Sequence, residues 1–228
     1  MEPVCAWCRL VGLVLIALFC STTALDAQTS AREQPRFGGV LKVAMPAEPP
    51  SLDPHSTFVT NTVQIMRHVF ETLYTFDNDL SLIPHLAAGH TVSDGGRRYT
   101  ITLRTGVRFH NGKELTAADV VASLNRWGRV AVVGKALWKS VEAVAAKSPY
   151  EVVVHFKEPS VVLLSALAHG GAFIYPKEII EVTGDGQLKQ FIGTGPFRFV
   201  EHKPDRHVRP SRFKEYAARP SLSIWMRQ

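Results

Sequence analysis

The sequence predicts a mixed α+β fold in which β-hairpins dominate. Tyr99, Ile101 and Leu103 alternate with polar residues, the period of a half-buried strand. Between Asn61 and Leu73, apolar residues recur at helical spacing instead. Two further strand-like runs flank the turn at 148–150, as in a hairpin. Helices and strands therefore alternate along one chain that shows no internal repeat.

In the first half of the chain, the apolar run Val40 to Met45 predicts a buried strand. The run Asn61 to Leu73 predicts a helix, for which Thr60 or Asn61 itself is a suitable N-cap. Tyr99 to Arg104 and Val107 to Phe109 are predicted strands, and Asn-Gly at 111–112 favours a turn after them.

In the second half, Thr116 and Asp119 have the spacing of a capping box ahead of a helix predicted over Ala117 to Trp127. Val141 to Ala146 and Glu151 to Phe156 predict a hairpin. The remaining predictions are helices over Val161 to Ala168 and Pro176 to Glu181, a strand over Gly195 to Val200, a turn over Lys203 to Arg206, and a return strand to Phe213. Pro210 lies inside that return strand and confines it to a sheet edge, since proline donates no ladder hydrogen bond.

The first 27 residues predict a secretory signal peptide. Arg9 precedes the apolar run Leu10 to Cys20, which is too short to span a bilayer, and cleavage is expected after Ala27. A lipoprotein beginning at Cys20 is the less favoured alternative, because bulky Phe19 precedes it. The three cysteines, Cys5, Cys8 and Cys20, lie in this segment, so the exported chain is expected to have no disulfide. Residues 28–36 are mostly polar, and we predict a flexible leader over residues 28–37.

Composition argues against nucleic-acid binding, catalysis and metal binding. The 26 Lys and Arg against 20 Asp and Glu give a net charge of +6, but the basic residues are scattered, with one loose cluster between Lys203 and Lys214. The nine histidines occur singly, without the spacing of a helical metal pair. No nucleophile elbow, zinc-protease helix or phosphate loop is present. We therefore expect no catalytic residues, no metal, no cofactor and no nucleic-acid partner.

The block from Asp94 to Val121 is the most informative motif. It reads Asp-Gly-Gly-Arg-Arg-Tyr-Thr-Ile-Thr-Leu-Arg-Thr-Gly-Val-Arg-Phe-His-Asn-Gly-Lys-Glu-Leu-Thr-Ala-Ala-Asp-Val-Val. This block closely resembles the signature of the peptide/nickel-type (family 5) extracellular solute-binding proteins of bacterial ABC importers. Five other segments resemble family motifs in the same order: 38–44, 48–54, 70–74, 83–87 and 193–197.

The resemblance implies the N-terminal lobe of a two-lobed clamshell, the periplasmic-binding-protein fold. Residues 38–216 correspond to the N-terminal portion of the solute-binding domain, and about 53–173 to a hairpin-rich peripheral subdomain. The flanking parts belong to a central mixed sheet that is incomplete here. Residues 217–228 form an atypical tail, which we interpret as a truncation or frameshift that could leave the chain without function. A genuine short paralogue is the alternative.

The resemblance also implies a function. It implies a periplasmic receptor for oligopeptides or similar small polar solutes, working with the membrane permease of an ABC importer. The positions implied to face the solute are Ala47, Glu48, Thr57, Phe58, Thr60, Asn61, Thr194 and Gly195. Gly193 and Gly195 have a structural alternative, in which they permit a sharp start to the strand. In the family, the anchor for a peptide's amino terminus lies in the second lobe. We therefore expect this chain alone to bind peptides weakly or not at all.

Two other functions remain as alternatives. One is a secreted α+β hydrolase-like enzyme, for which Ser165 and His169, four residues apart on a predicted helix, are the candidate Ser/His pair. The other is a module that docks on the permease without binding solute. Trp127 and Trp138 have the aromatic surface to stack on a ligand, but core positions are the favoured interpretation.

Overall fold

A computed structural model describes residues 38–169 and 171–216. The chain divides into one unit up to Ala44 and a second from Met45 onward. In the first unit, the described residues form no strand, and Val40, Leu41 and Val43 are 86%, 89% and 71% exposed. The prediction of a buried strand over Val40 to Met45 is therefore wrong. None of the described strands pairs with this segment, and a strand without a ladder partner has nothing to hold it extended.

The second unit is organised around a four-stranded antiparallel sheet. Its strands lie in the order β3-β4-β6-β5 and are Ala87–Ser93 (β3), Arg98–Leu103 (β4), Val141–Ser148 (β5) and Glu151–Phe156 (β6). Ile101 of β4 lies between His90 of β3 and Val152 of β6. A short 3₁₀ turn, Asp94–Gly96, joins β3 to β4. The predicted β4 and the predicted β5–β6 hairpin are thus confirmed, whereas β3 was not predicted.

Helix α2, Ala117–Val130, covers one face of this sheet. Thr116 and Asp119 form the predicted capping box, and the Asp119 carboxylate accepts from the Thr116 amide at 2.9 Å. The buried face of the helix carries Val120, Leu124 and Trp127. These side chains pack with the inward residues of β4 and β6 in the larger of two apolar cores.

The second unit also contains helices and strands outside this sheet. They are helix α1 (Thr60–Met66), strands β1 (Tyr74–Phe76) and β2 (Leu82–Pro84), helices α3 (Val132–Trp138), α4 (Leu163–Ala168) and α5 (Lys177–Thr183), and strands β7 (Phe197–Lys203) and β8 (His207–Arg212). Strands β1 and β2 form one two-stranded sheet, and β7 and β8 form another. Pro210 pairs with Phe199 in β8, which is an edge strand as predicted.

A second apolar core lies beside the first. Its buried members come from α1, α5 and the segments around them: Leu52, Met66, Val69, Phe70, Phe173, Tyr175, Ile179, Ile180 and Leu188. The Tyr175 ring meets the Phe70 ring edge-on, with centroids 4.6 Å apart. This core supports the loops that carry the predicted solute-facing residues.

Two further predicted elements differ from the structure. Helix α1 ends at Met66 rather than Leu73, because the carbonyls of His68 and Val69 accept hydrogen bonds from Phe197 and Gly195 at 3.0 and 2.9 Å. Residues 67–73 thus leave the helix to contact a distant segment. Residues 107–109 form a single bridge between Arg108 and Glu114 instead of a strand, since the tight turn leaves room for little pairing.

Candidate functional site

The predicted solute-facing residues occupy two clusters, both built on backbone contacts. The first joins Ala47 and Glu48 to the start of α1. Asn61 donates from Nδ2 to the Ala47 carbonyl at 2.8 Å, and Thr62 donates from its hydroxyl to the Ser51 carbonyl at 2.6 Å. The carboxylate of Glu48 lies 2.5 Å from His202 Nε2 of β7. The structure therefore brings Ala47 and Asn61 into contact, with Glu48 next to them in the chain.

Asp53 fixes the loop that leads into Thr57–Asn61. Its carbonyl accepts from the amides of Ser56 and Thr57, both at 3.1 Å. Its carboxylate pairs with Arg126 of α2 at 2.6 Å, and both side chains are fully buried. Arg126 also donates to the carbonyls of Gly184 and Gly186 at 2.9 and 2.5 Å. One buried ion pair thus joins this loop, α2 and the segment after α5.

His55 lies against this ion pair as a neutral ring. Burial, reinforced by the nearby Arg126 charge, lowers the pKa of His55 to about 3. Its Nε2 lies 2.9 Å from the Phe173 carbonyl, and a neutral imidazole protonated at Nε2 donates that bond. The imidazole contacts the Tyr175 ring at a centroid distance of 4.4 Å. His55 therefore acts as a neutral donor that ties the loop to the second core.

The middle of the stretch from Thr57 to Asn61 exposes its side chains to solvent. Phe58 is 50% exposed and Val59 is 43% exposed, and Thr60 is also exposed. Thr57 is half-buried and Asn61 is buried. This stretch thus offers an uncharged surface of hydroxyl and apolar groups, held from beneath by backbone hydrogen bonds.

The second cluster, Thr194 and Gly195, is buried. A Cβ at Gly193 would lie 2.0 Å from the Val69 carbonyl oxygen, and one at Gly195 would lie 2.6 Å from that of His68. These glycines are thus required by close approach of the backbone to 68–69, rather than by an unusual φ. Among the residues that the structure describes, the Thr194 hydroxyl has no hydrogen-bond partner.

His110, which lies in the recognised motif from Asp94 to Val121, holds this second cluster in place. Its Nδ1 accepts from the Gly193 amide at 3.2 Å, and its Nε2 lies 2.9 Å from the Gly195 carbonyl. A neutral imidazole protonated at Nε2 satisfies both contacts, and burial lowers the pKa of His110. The motif identified this histidine, but nothing in the sequence showed that it contacts a segment about 85 positions away.

A buried carboxylate was not predicted at all. Glu71 is 2% exposed, lies 3.1 Å from His85 Nε2, and accepts from the Tyr216 hydroxyl at 2.9 Å. These contacts connect the segment before β1 with the segment that follows β8. The sequence signal was available, since Glu71 belongs to the recognised motif at 70–74, but its burial was not visible.

The Ser165 and His169 pair does not form a nucleophile and base in this structure. The Ser165 hydroxyl donates to the Val162 carbonyl at 3.0 Å, and the His169 ring packs on Phe58. Trp127 is 1% exposed and meets Trp138 edge-on within the larger core. Across 38–169 and 171–216, no three His, Cys, Asp or Glu side chains are grouped to hold a metal ion. In the same ranges no helix has the length and apolar character needed to cross a bilayer.

The comparisons with known proteins agree on one family of solute-binding proteins. Residues 81–223 match the model for the middle part of the bacterial extracellular solute-binding proteins, family 5. A probable peptide ABC transporter periplasmic-binding protein of Sinorhizobium fredii is 33% identical over 153 residues, covering 66% of this chain and 29% of the relative. The glutathione-binding protein of Salmonella paratyphi A is 30% identical over 168 residues, covering 73% of this chain and 33% of the relative.

A solved structure gives the same picture. Haemophilus influenzae OppA, in complex with the peptide RPPGFSPFR, superposes with a TM-score of 0.67 at 26% identity. The match covers 75% of this chain and 37% of that protein. The chain spans about a third of the length of the curated relatives that it matches. Its described part therefore has the architecture of one portion of a periplasmic-binding-protein lobe.

Proposed function

Because this chain belongs to family 5 of the bacterial extracellular solute-binding proteins, we propose that it binds solute for an ABC importer. The proposed solutes are oligopeptides or similar small polar molecules. The observation that carries the proposal is the family match over residues 81–223. The relatives named above as peptide-binding proteins favour peptides as the solute class. In this proposal the chain is not an enzyme, and its partners are the solute and the membrane permease.

The proposed solute-binding surface consists of the two clusters described above. Solute backbone groups would hydrogen-bond to the exposed chain at Ala47 and Glu48 and to Thr57–Asn61, with Phe58 and Thr60 offering side chains. Thr194 supplies a buried hydroxyl that has no partner among the described residues. Unpaired buried hydroxyls are unfavourable, so a hydrogen bond from a solute at this position would be a net gain. Because Thr194 and Gly195 are both buried, they would contribute only after a local opening.

We place this function in the periplasm. In this proposal residues 1–27 are removed on export, and residues 28–37 are the predicted leader; both segments lie outside the described residues. The tail at 217–228 also lies outside them. Intact-mass measurement of a periplasmic fraction tests the localisation: a product beginning near Gln28 supports it, and a full-length cytoplasmic product would argue against it.

Calorimetric titration with a mixed set of di- to pentapeptides tests the binding function. A surface on one side of the solute supplies only a few hydrogen bonds, each contributing about 1 kcal/mol. We therefore expect a Kd of about a millimolar or weaker. Thr60→Val removes one exposed hydroxyl and should weaken binding further, whereas Thr102→Val on the exposed side of β4 serves as the matched control. Binding that is equal in both variants would contradict the assignment of the surface.

A further inference from the structure

Phe58 and His169 form an exposed aromatic pair beside the proposed solute surface. Their ring centroids are 4.8 Å apart and the ring planes are inclined by 37°. Phe58 is 50% exposed, and His169 is exposed as well. His169 was not among the predicted solute-facing residues. The structure thus adds a second aromatic ring to a surface that the sequence assigned to hydroxyl groups and Phe58.

The Phe58 ring is supported from beneath. A Cβ on Gly171 would lie 3.3 Å from Phe58 Cδ2 and 3.4 Å from Trp127 Nε1, so the ring lies close over a glycine backbone beside a buried indole. The adjacent Thr57 amide is held by the Asp53 carbonyl at 3.1 Å. One side of the pair is therefore fixed by the fold while the other meets solvent. A ring fixed in this way loses little conformational entropy when a ligand covers it.

The chain segments that carry the two rings hold no charged side chain next to them in sequence. Residues 56–63 and residues 159–168 carry no ionisable side chain, and α1 has no acidic residue in its first turn and no basic residue in its last. Covering a ligand charge here would remove its water without supplying a counter-charge, which is unfavourable. Covering an aromatic side chain would instead bury apolar area and allow offset or edge-on ring contacts. The charge pattern therefore selects for aromatic solute groups.

We propose that Phe58 and His169 are specificity-determining residues that hold an uncharged aromatic side chain of the solute. This inference rests on the proposed solute-binding function and narrows its ligand class to peptides that carry such a side chain. Aromatic pairs contribute beyond their buried area by an amount equivalent to about a two- to tenfold change in affinity. The preference for an aromatic over a small side chain should be at least of that size.

The test is a proton NMR titration of the 228-residue chain with three tripeptides that differ only in the central residue: phenylalanine, alanine or lysine. At about 10 mM, a ligand with a Kd near 1 mM nearly saturates its site. We expect the phenylalanine peptide to bind most tightly and to shift the ring resonances of Phe58 and His169. In Phe58→Ala, the ratio of affinities for the phenylalanine and alanine peptides should fall to about one.

Two further variants keep the result interpretable. Phe58→Leu preserves an apolar side chain, so it should keep the fold and retain part of the preference if Phe58→Ala is unstable. Phe76→Ala removes a phenylalanine of similar exposure from β1 and should leave the preference unchanged. Equal affinity for all three peptides, or tightest binding of the lysine peptide, would overturn the inference while leaving the proposed function intact. No shift anywhere with any peptide would overturn both.

Discussion

The unit formed by the β3–β6 sheet and α2 differs from the region of the proposed solute surface in what holds it together. The sheet unit is held by apolar side chains such as Ile101, Leu124 and Val152, all fully buried. The solute region rests on the second apolar core and is held in addition by polar contacts across long sequence separations, chiefly Asp53 with Arg126 and His110 with 193–195. Apolar burial is non-directional, whereas polar contacts fix the loop backbone in one geometry. The protein thus uses polar contacts where the backbone must be positioned.

Breaking the buried ion pair should have the largest effect. Arg126→Met leaves the Asp53 carboxylate buried without its counter-charge, which we expect to lower the free energy of unfolding by about 3–5 kcal/mol. The control is Arg129→Met on the same helix, whose pair with Asp185 is about half exposed and should matter by about 1 kcal/mol or less. Urea unfolding measures both. Equal effects in the two variants would contradict the proposed role of the pair.

A cavity in the sheet unit should have a slightly smaller effect on stability and little on the solute region. Ile101→Ala removes a fully buried side chain and should cost about 2–5 kcal/mol. The exposed neighbour Thr102 supplies the control, Thr102→Ala. Thermal unfolding gives the loss, and peptide titration well below the melting temperature should give unchanged affinity. A folded Ile101→Ala chain with altered affinity would show that the two regions are not independent.

Acid should weaken the solute region through His55. The histidine of the unfolded chain has a pKa near 6.5, whereas folded His55 has a pKa of about 3. Between these two pH values the unfolded chain therefore binds a proton that the folded chain does not. The stabilisation is present above pH 6.5 and is lost as the pH falls through this window, by about 2 kcal/mol between pH 7 and pH 5. Urea unfolding at several pH values measures the slope. His55→Gln should reduce the slope by this amount, and the exposed His90→Gln should not.

Removing the bond between Asn61 and the Ala47 carbonyl should have the smallest effect. Asn61→Ala forfeits one hydrogen bond, and we expect a loss of about 1 kcal/mol in the free energy of unfolding. The exposed Asn78, in the turn between β1 and β2, gives the control variant Asn78→Ala. Hydrogen exchange should become faster at Ala47 and Glu48 in the first variant alone. Unchanged exchange there would show that the loop is held by other contacts.

The two regions also differ in how well the sequence predicted them. In the sheet unit, alternation revealed β4 and the β5–β6 hairpin, and the capping box marked the start of α2. Helix α3 was missed because Gly134 lowers helix propensity and Val132 is 85% exposed, which hides the apolar face. Strand β3 was missed because it is mostly exposed and contains Gly89. Local patterns are informative where the partners are close in sequence.

In the solute region, the family motif supplied positions but not contacts. It pointed to Asp53, His110 and Gly195, yet the partners of these residues lie about 70 or more positions away. The end of α1 at Met66 was missed for the same reason, since hydrogen bonds from the distant segment 195–197 compete with the helix. No spacing rule encodes a contact of that separation. The roles of the solute-facing residues stay predictions.

Hydrogen exchange with and without a peptide tests the central claim most directly, namely that solute binds on the polar-anchored region and not on the sheet unit. Mass spectrometry of the chain at millimolar concentrations of a phenylalanine-containing tripeptide should show slower exchange over residues 45–62. Exchange over the sheet unit, at residues 98–103, 117–130 and 141–156, should remain unchanged. Slowing confined to the sheet unit, or equal slowing throughout, would contradict this account.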